Sequence, residues 1–140
     1  MEKENRFNGY HSPDPSLPPS RLSFREAMEM ARAQAEYPEC YTAQEARQVA
    51  EIIPIIAEVY LLAPDKPIRV SGEWLDGYTV QEIFRQIRRE HLIMVYDEFS
   101  RIRASVANVK AYLRTMLYNS VFTMEAQYTN KAKVYGLEEF

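Results

Sequence analysis

Along most of this chain, apolar residues return every three or four positions, the spacing of helices with one buried face. Phe24, Ala27, Met28, Ala31 and Ala35 set out a first helix over residues 23–36. Ser23, with Glu26 three residues later, forms a capping box, and Pro38 ends the segment. A second helix opens at Thr42, where Glu45 completes another capping box, and its stripe runs through Ala46, Val49, Ala50, Ile53, Ala57 and Tyr60. Pro54 falls inside it, removes the hydrogen bond to the Ala50 carbonyl and is expected to kink or split the helix there. This pattern stops at Pro64.

The period then changes. "PIRVSGEW" alternates Ile68 and Val70 around Arg69 and turns at Ser71-Gly72, which predicts a short hairpin returning through Glu73 to Leu75. Two short strands are marginal alone, so the hairpin must rest on helices. Thr79 with Glu82 reads as a third capping box, opening a helix with Val80, Ile83, Phe84 and Ile87 on one face. Another helix starts at His91, with Leu92, Val95, Tyr96 and Phe99 as its stripe and Arg101 pointing away from it. "RASVAN" connects it to "NVKAYLRTMLYN", whose inner face carries Val109, Tyr112, Leu113, Met116 and Leu117. Lys110, Arg114 and Tyr118 fall in one row on the other side. A last helix is expected from about Thr123, holding Met124, Tyr128, Lys131 and Lys133.

The prediction is a mainly helical, compact bundle of five to six short helices with one small β-hairpin, spanning residues 21–137 as a single domain. Residues 1–20 contain four prolines and almost no apolar period, and read as a disordered tail or linker.

Charge adds an asymmetry. The net charge of −3 argues against a generally basic nucleic-acid binder. Yet residues 85–133 hold nine basic against four acidic side chains, whereas residues 1–84 hold eight against fourteen. Such an imbalance can mark a face for nucleic acid or an acidic partner, although cations spread over solvated helix faces explain the numbers as well. The single cysteine, Cys40, excludes an intramolecular disulfide and fits a reducing compartment. No stretch approaches a membrane span, and the N-terminus is too polar for a signal peptide. A cytoplasmic location is expected.

Catalytic chemistry finds little support. The four glycines form no phosphate-cradling run. His11 and His91 are far apart in sequence, and His91 at a helix start reads as a cap or surface residue. Cys40 has no neighbouring histidine to activate it. Clusters with metal-ligand spacing are missing, so no metal, cofactor or catalytic residue is expected. Glu51 and Glu58 share a helix face that reads as solvated. Trp74 reads as a cover for the edge of the core, with anchoring of a partner as the alternative.

From "IRVSGEW" to "TMEAQY" the chain resembles the C-terminal domain of RepA-type plasmid replication initiators of Gram-positive bacteria. The likeness rests on Ile68-Arg69-Val70 with Gly72, on Val80, and on His91 with Val95 and Phe99. It continues through Val109, Tyr112-Leu113, Leu117-Tyr118-Asn119, Thr123-Met124 and Tyr128. Ser120 stands where that pattern has alanine, the second tyrosine of a pair is absent, since Gln127 precedes Tyr128, and Pro54 is unexpected. The family's winged-helix domain has no counterpart here. "IRASVANVKAYLRTML" is also similar to the C-terminal region of DnaD-type primosomal proteins, without that pattern's terminal tryptophan.

The resemblance implies a DnaD-like, non-catalytic domain of a plasmid or mobile-element replication initiator in a bacterial cytoplasm. It would recruit host replication proteins: a helicase loader, primase or helicase. DNA contact would be secondary, through a basic surface of Arg85, Arg88, Arg89, Arg101, Arg103, Lys110 and Arg114, with Tyr118 available to stack on a base. For Tyr118 and Tyr128, packing at the core edge with a wet hydroxyl is the simpler reading. The alternative function is a protein-protein interaction or self-association module with no DNA contact. An enzyme site built from tyrosines and carboxylates is a remote third reading.

Overall fold

The computed structural model describes the backbone of residues 22–134 and the side chains of residues 22–126. The tail expected over residues 1–20 lies outside the described residues, as do the side chains of Tyr128, Lys131 and Lys133. The elements run α1 (Phe24–Ala35), α2 (Ala43–Val49), α3 (Ile53–Leu61), β1 (Ile68–Val70), β2 (Glu73–Leu75), α4 (Gly77–Phe84), α5 (Arg89–Ile102), a 3-10 turn (Arg103–Ser105) and α6 (Val109–Val134). The chain is a mainly helical domain with one small antiparallel hairpin, as the periodicity predicts.

The first two capping boxes form as read. Ser23 Oγ accepts the Glu26 N–H at 3.1 Å and Thr42 Oγ1 accepts the Glu45 N–H at 3.1 Å. Each glutamate side chain returns the bond to its cap's own N–H. The third box does not form. Asp76 caps α4 instead: Oδ2 accepts both the Thr79 N–H at 3.0 Å and the Thr79 hydroxyl at 2.8 Å. An aspartate next to Gly77 can cap three residues earlier, and Glu82 is left to pair with Arg85 at 3.1 Å.

Pro54 splits the second predicted helix, but the break falls before it. α2 ends at Val49, and Pro54 sits in the first turn of α3, where a missing N–H costs nothing. The break rotates Ala50 out to solvent, although it belongs to the expected stripe, while Val49, Ile53, Ala57 and Tyr60 remain buried. α3 is buried almost all round, because Ile52, Ile55, Ile56 and Val59 are buried too.

α1 packs on α3 through Ala27, Ala31 and Ala35, small side chains that let the two backbones approach. Phe24 does not join that stripe; it is 54 % exposed at the first helical position. Val80, Phe84, Ile87, Leu92, Val95 and Phe99 bring α4 and α5 into the same core, and Leu113, Leu117 and Val121 bring α6. The hairpin pairs Ile68 with Leu75, Arg69 with Trp74 and Val70 with Glu73. Ser71 and Gly72 both take positive φ, 57° and 80°, which suits a two-residue turn between twisted strands. Ile68 and Val70 face inward, and β1 leans on α6.

The predicted break between Asn119 and Thr123 is absent. α6 runs unbroken from Val109 to Val134, since no Gly or Pro interrupts it. The buried Ser120 hydroxyl donates back to the Leu117 carbonyl at 2.7 Å, which satisfies it within the helix.

Candidate functional site

Two glutamines fix the helix ends beneath the basic segment. Gln34 Nε2, from α1, donates to the carbonyls of Phe84 at 2.8 Å and Ile87 at 2.9 Å, and its Oε1 accepts the Tyr60 hydroxyl. Gln81 Nε2 donates to the carbonyls of Val59 and Leu62, both at 2.9 Å. These bonds add to the weaker turn bonds at the ends of α3 and α4, where Val59 O also accepts the Leu62 N–H at 3.3 Å and Phe84 O the Ile87 N–H at 3.1 Å. The loop bearing Arg85 and Arg88, which leads to Arg89 at the start of α5, is therefore held at Phe84 and at Ile87.

Each predicted contact residue has a partner within the chain. Arg85 pairs with Glu82, and Arg88 Nη1 donates to the carbonyls of Arg85 at 2.7 Å and Ile87 at 2.9 Å. Arg89 Nε donates to the Cys40 carbonyl at 2.6 Å, with its guanidinium 5.4 Å from the Tyr41 ring centroid. Arg101 pairs with Asp97 one turn back. Arg103 Nη2 lies 3.2 Å from Glu51 Oε1, with its guanidinium over Phe99. Lys110 Nζ lies 2.7 Å from Glu58 Oε2.

The row Lys110, Arg114, Tyr118 is therefore not a free polar back. Lys110 reaches α3, and Arg114 is half-buried at the hairpin, with Nη1 3.5 Å from the Arg69 carbonyl. Its Nε is enclosed with no partner among the described atoms. Next to it, Thr115 Oγ1 accepts the Ser71 N–H at 2.9 Å, so α6 seals the turn as well as the outer edge of β1. Tyr118 is half-buried, its ring 5.4 Å from that of Phe122. Glu51 and Glu58, expected on a solvated face, are half-buried counter-ions. A side chain spaced along a helix shows only its own face; which neighbouring element that face meets is a tertiary fact.

The structure also exposes groups that the sequence placed differently. Trp74 does not cover the core edge: it is 63 % exposed, on the outer face of the hairpin, with the Arg69 guanidinium 5.3 Å from its ring centroid. Tyr78, four residues on at the start of α4, is 53 % exposed. The alternation Ile68-Arg69-Val70 together with the Ser71-Gly72 turn carried the signal for this, because Arg69 must face outward and Trp74 is its cross-strand partner.

The titratable groups favour their resting forms. Burial pushes both Tyr41 and Tyr60 up to about 12, against neighbouring Arg89 for Tyr41 and the Gln34 bond for Tyr60. A hydrogen bond to the Glu36 side chain, before any other cause, raises the exposed Cys40 thiol. Burial lowers His91, with Glu90 acting against it, and His91 Nδ1 accepts the Arg88 N–H at 2.9 Å at the start of α5. His91 thus serves as a cap. Among the described residues, no three His, Cys, Asp or Glu side chains converge as a metal site would require. A cleft of about 490 Å³ lies between α1, Tyr60 and the loop after α4, with Met30 on its rim.

Among the described residues, no helix is long and apolar enough to cross a membrane. No curated protein and no solved structure matches this chain. One family does, over residues 23–135, from the Ser23 cap to the end of α6. That match covers most of the sequence, and the chain belongs to this family of unknown function, DUF6017.

Proposed function

We propose that this chain is a non-catalytic, DnaD-like domain of a bacterial plasmid or mobile-element replication initiator. It acts in the cytoplasm and recruits a host helicase loader, primase or helicase. The observation that carries the protein-binding reading is the contrast between two surfaces. The predicted basic residues are tied to partners within the chain, whereas Trp74 and Tyr78 stand exposed on a rigid hairpin and helix start. Exposed aromatics on a fixed scaffold suit a protein hot spot, because a tryptophan buries much area at little entropic cost. The replication context rests on the sequence resemblance from Ile68 to Tyr128.

DNA contact is a secondary role, confined to the corner between α5 and α6, where Arg101, Arg103 and Lys110 are exposed. Their pairs with Asp97, Glu51 and Glu58 are solvated and so weak enough to exchange for phosphate.

The test is titration of the labelled chain against a purified helicase loader, primase and helicase of a Gram-positive host. Saturable binding of at least one, weakened tenfold or more by Trp74→Ala/Tyr78→Ala, is expected. Absence of binding to all three would remove the recruitment reading. Undiminished binding by the double variant would move the docking surface away from the hairpin.

A further inference from the structure

Glu51 and Glu58 are seven residues apart, and so are Arg103 and Lys110. The structure joins the two pairs in register: Glu51 Oε1 to Arg103 Nη2 at 3.2 Å, and Glu58 Oε2 to Lys110 Nζ at 2.7 Å. The two cations bracket the connector between α5 and α6, and the two carboxylates bracket the first turns of α3. The held and mobile partners are unequal. The carboxylate side chains are 35 % and 33 % exposed, Glu51 in the turn before α3 and Glu58 on α3 itself, whereas those of Arg103 and Lys110 are 52 % and 67 % exposed on long, flexible stems. The cations can swing outward while the acids stay in place.

We propose that Glu51 and Glu58 are internal counter-ions that mask an anion-binding corner made by Arg103 and Lys110, and that the phosphodiester backbone of single-stranded nucleic acid displaces them. The proposal rests on the reading of this corner as a DNA contact. The corner suits phosphate better than an acidic protein. Between the cations Ala104, Ser105, Ala107 and Asn108 are exposed and small or polar and Val106 and Val109 are half-buried, so Ile102, 38 % exposed beside Arg103, is the one large exposed apolar side chain there, a small centre for a protein interface. Lysine and arginine bind phosphate without needing one. Each carboxylate occupies the position a phosphate oxygen would take, so binding exchanges one ion pair for another and is weak until the carboxylate is neutralised.

The test uses the full chain and fluorescein-labelled oligothymidylate, comparing wild type, Glu51→Gln/Glu58→Gln and Glu29→Gln/Glu73→Gln. The last variant makes the same change in net charge at exposed glutamates elsewhere. The corner variant should bind about threefold to thirtyfold more tightly than that control at low salt, given what two exposed ion pairs are worth. It should also steepen the fall of log affinity with log salt by about 1.4, the value for two added phosphate contacts on a single strand. Adding Arg103→Ala/Lys110→Ala should erase the gain. Matching thermal melts exclude unfolding as its source.

A gain no larger than that of the control, with wild-type binding intact, overturns the masking and leaves the DNA contact standing. Absence of oligothymidylate binding by wild type and variant alike overturns both. A gain that survives loss of both cations places the site elsewhere and overturns the proposal, as does a gain for a polyglutamate peptide with none for the oligonucleotide.

Discussion

The Tyr60 hydroxyl donates to Oε1 of Gln34, and this single bond links α3 to α1 while the amide of the same glutamine holds the end of α4. Gln34 thus uses both ends of its side chain on three separate elements. Gln34→Ala would leave the Tyr60 hydroxyl without its acceptor, while Phe84 O keeps the Ile87 N–H and Ile87 O keeps Arg88 Nη1. Urea unfolding should show a loss of about 1–3 kcal/mol, the cost of one unsatisfied buried group, with the two carbonyl bonds adding to it. Tyr60→Phe removes one partner only and should cost about 1 kcal/mol. A larger loss for Tyr60→Phe than for Gln34→Ala would contradict this hierarchy.

Gly77 marks a second tight point. A Cβ there would lie 2.3 Å from the Lys66 carbonyl oxygen and 2.6 Å from that of Pro64. Both obstacles are backbone, so relief requires moving the loop after α3 away from the start of α4. Gly77→Ala should destabilise by about 3 kcal/mol or more, beyond ordinary overpacking of a flexible side chain. Gly72→Ala meets nothing within 4 Å but must adopt φ 80°, and should cost about 1 kcal/mol. Thermal melts of the two variants should rank them in that order.

The ion pair between Lys110 and Glu58 contributes little to folding. Lys110 is largely exposed and Glu58 half-buried, so Lys110→Ala should change stability by no more than about 1 kcal/mol, and the difference should shrink in about 1 M salt. Leu113→Ala, one turn along α6 but buried, should cost about 2–5 kcal/mol at either salt concentration. A salt-insensitive loss for Lys110→Ala would mean that packing of its stem, rather than charge, is what matters.

His91 makes stability depend on pH. Burial holds its folded value below the ordinary 6.5, and accepting the Arg88 N–H occupies the Nδ1 lone pair that protonation would take. Below 6.5 the unfolded chain therefore binds a proton that the folded chain resists. The contribution is complete above that pH and is lost as pH falls from it toward the lowered folded value. His91→Ala should remove this slope and, near pH 8, cost about 0.5–1 kcal/mol for the lost cap. Chemical denaturation across the window checks both effects.

Much of the fold was legible in the periodicity. The Ser23 and Thr42 caps, the hairpin register around Ser71-Gly72, and the inward stripe Leu92, Val95, Phe99 follow from local rules that neighbours do not override. The misjudged elements were those where two local signals compete. Thr79 had the right partner in Glu82, but Asp76 could cap earlier. Pro54 announced a break, but a proline fits best just after one. Asn119 to Thr123 lacked a clear apolar period, yet nothing in it stops a helix.

The basic surface was legible as composition and not as geometry. The sequence by itself determined which residues are cationic, that Lys110 and Arg114 share a face, and that Arg69 faces outward between Ile68 and Val70. Only the tertiary structure decided that the face bearing Lys110 meets Glu58, that Arg103 meets Glu51, and that Trp74 stays in solvent. Helical and strand periods define directions about one element's own axis. Which charge waits on the next element depends on how the axes cross, and that is set by burial of the whole core at once.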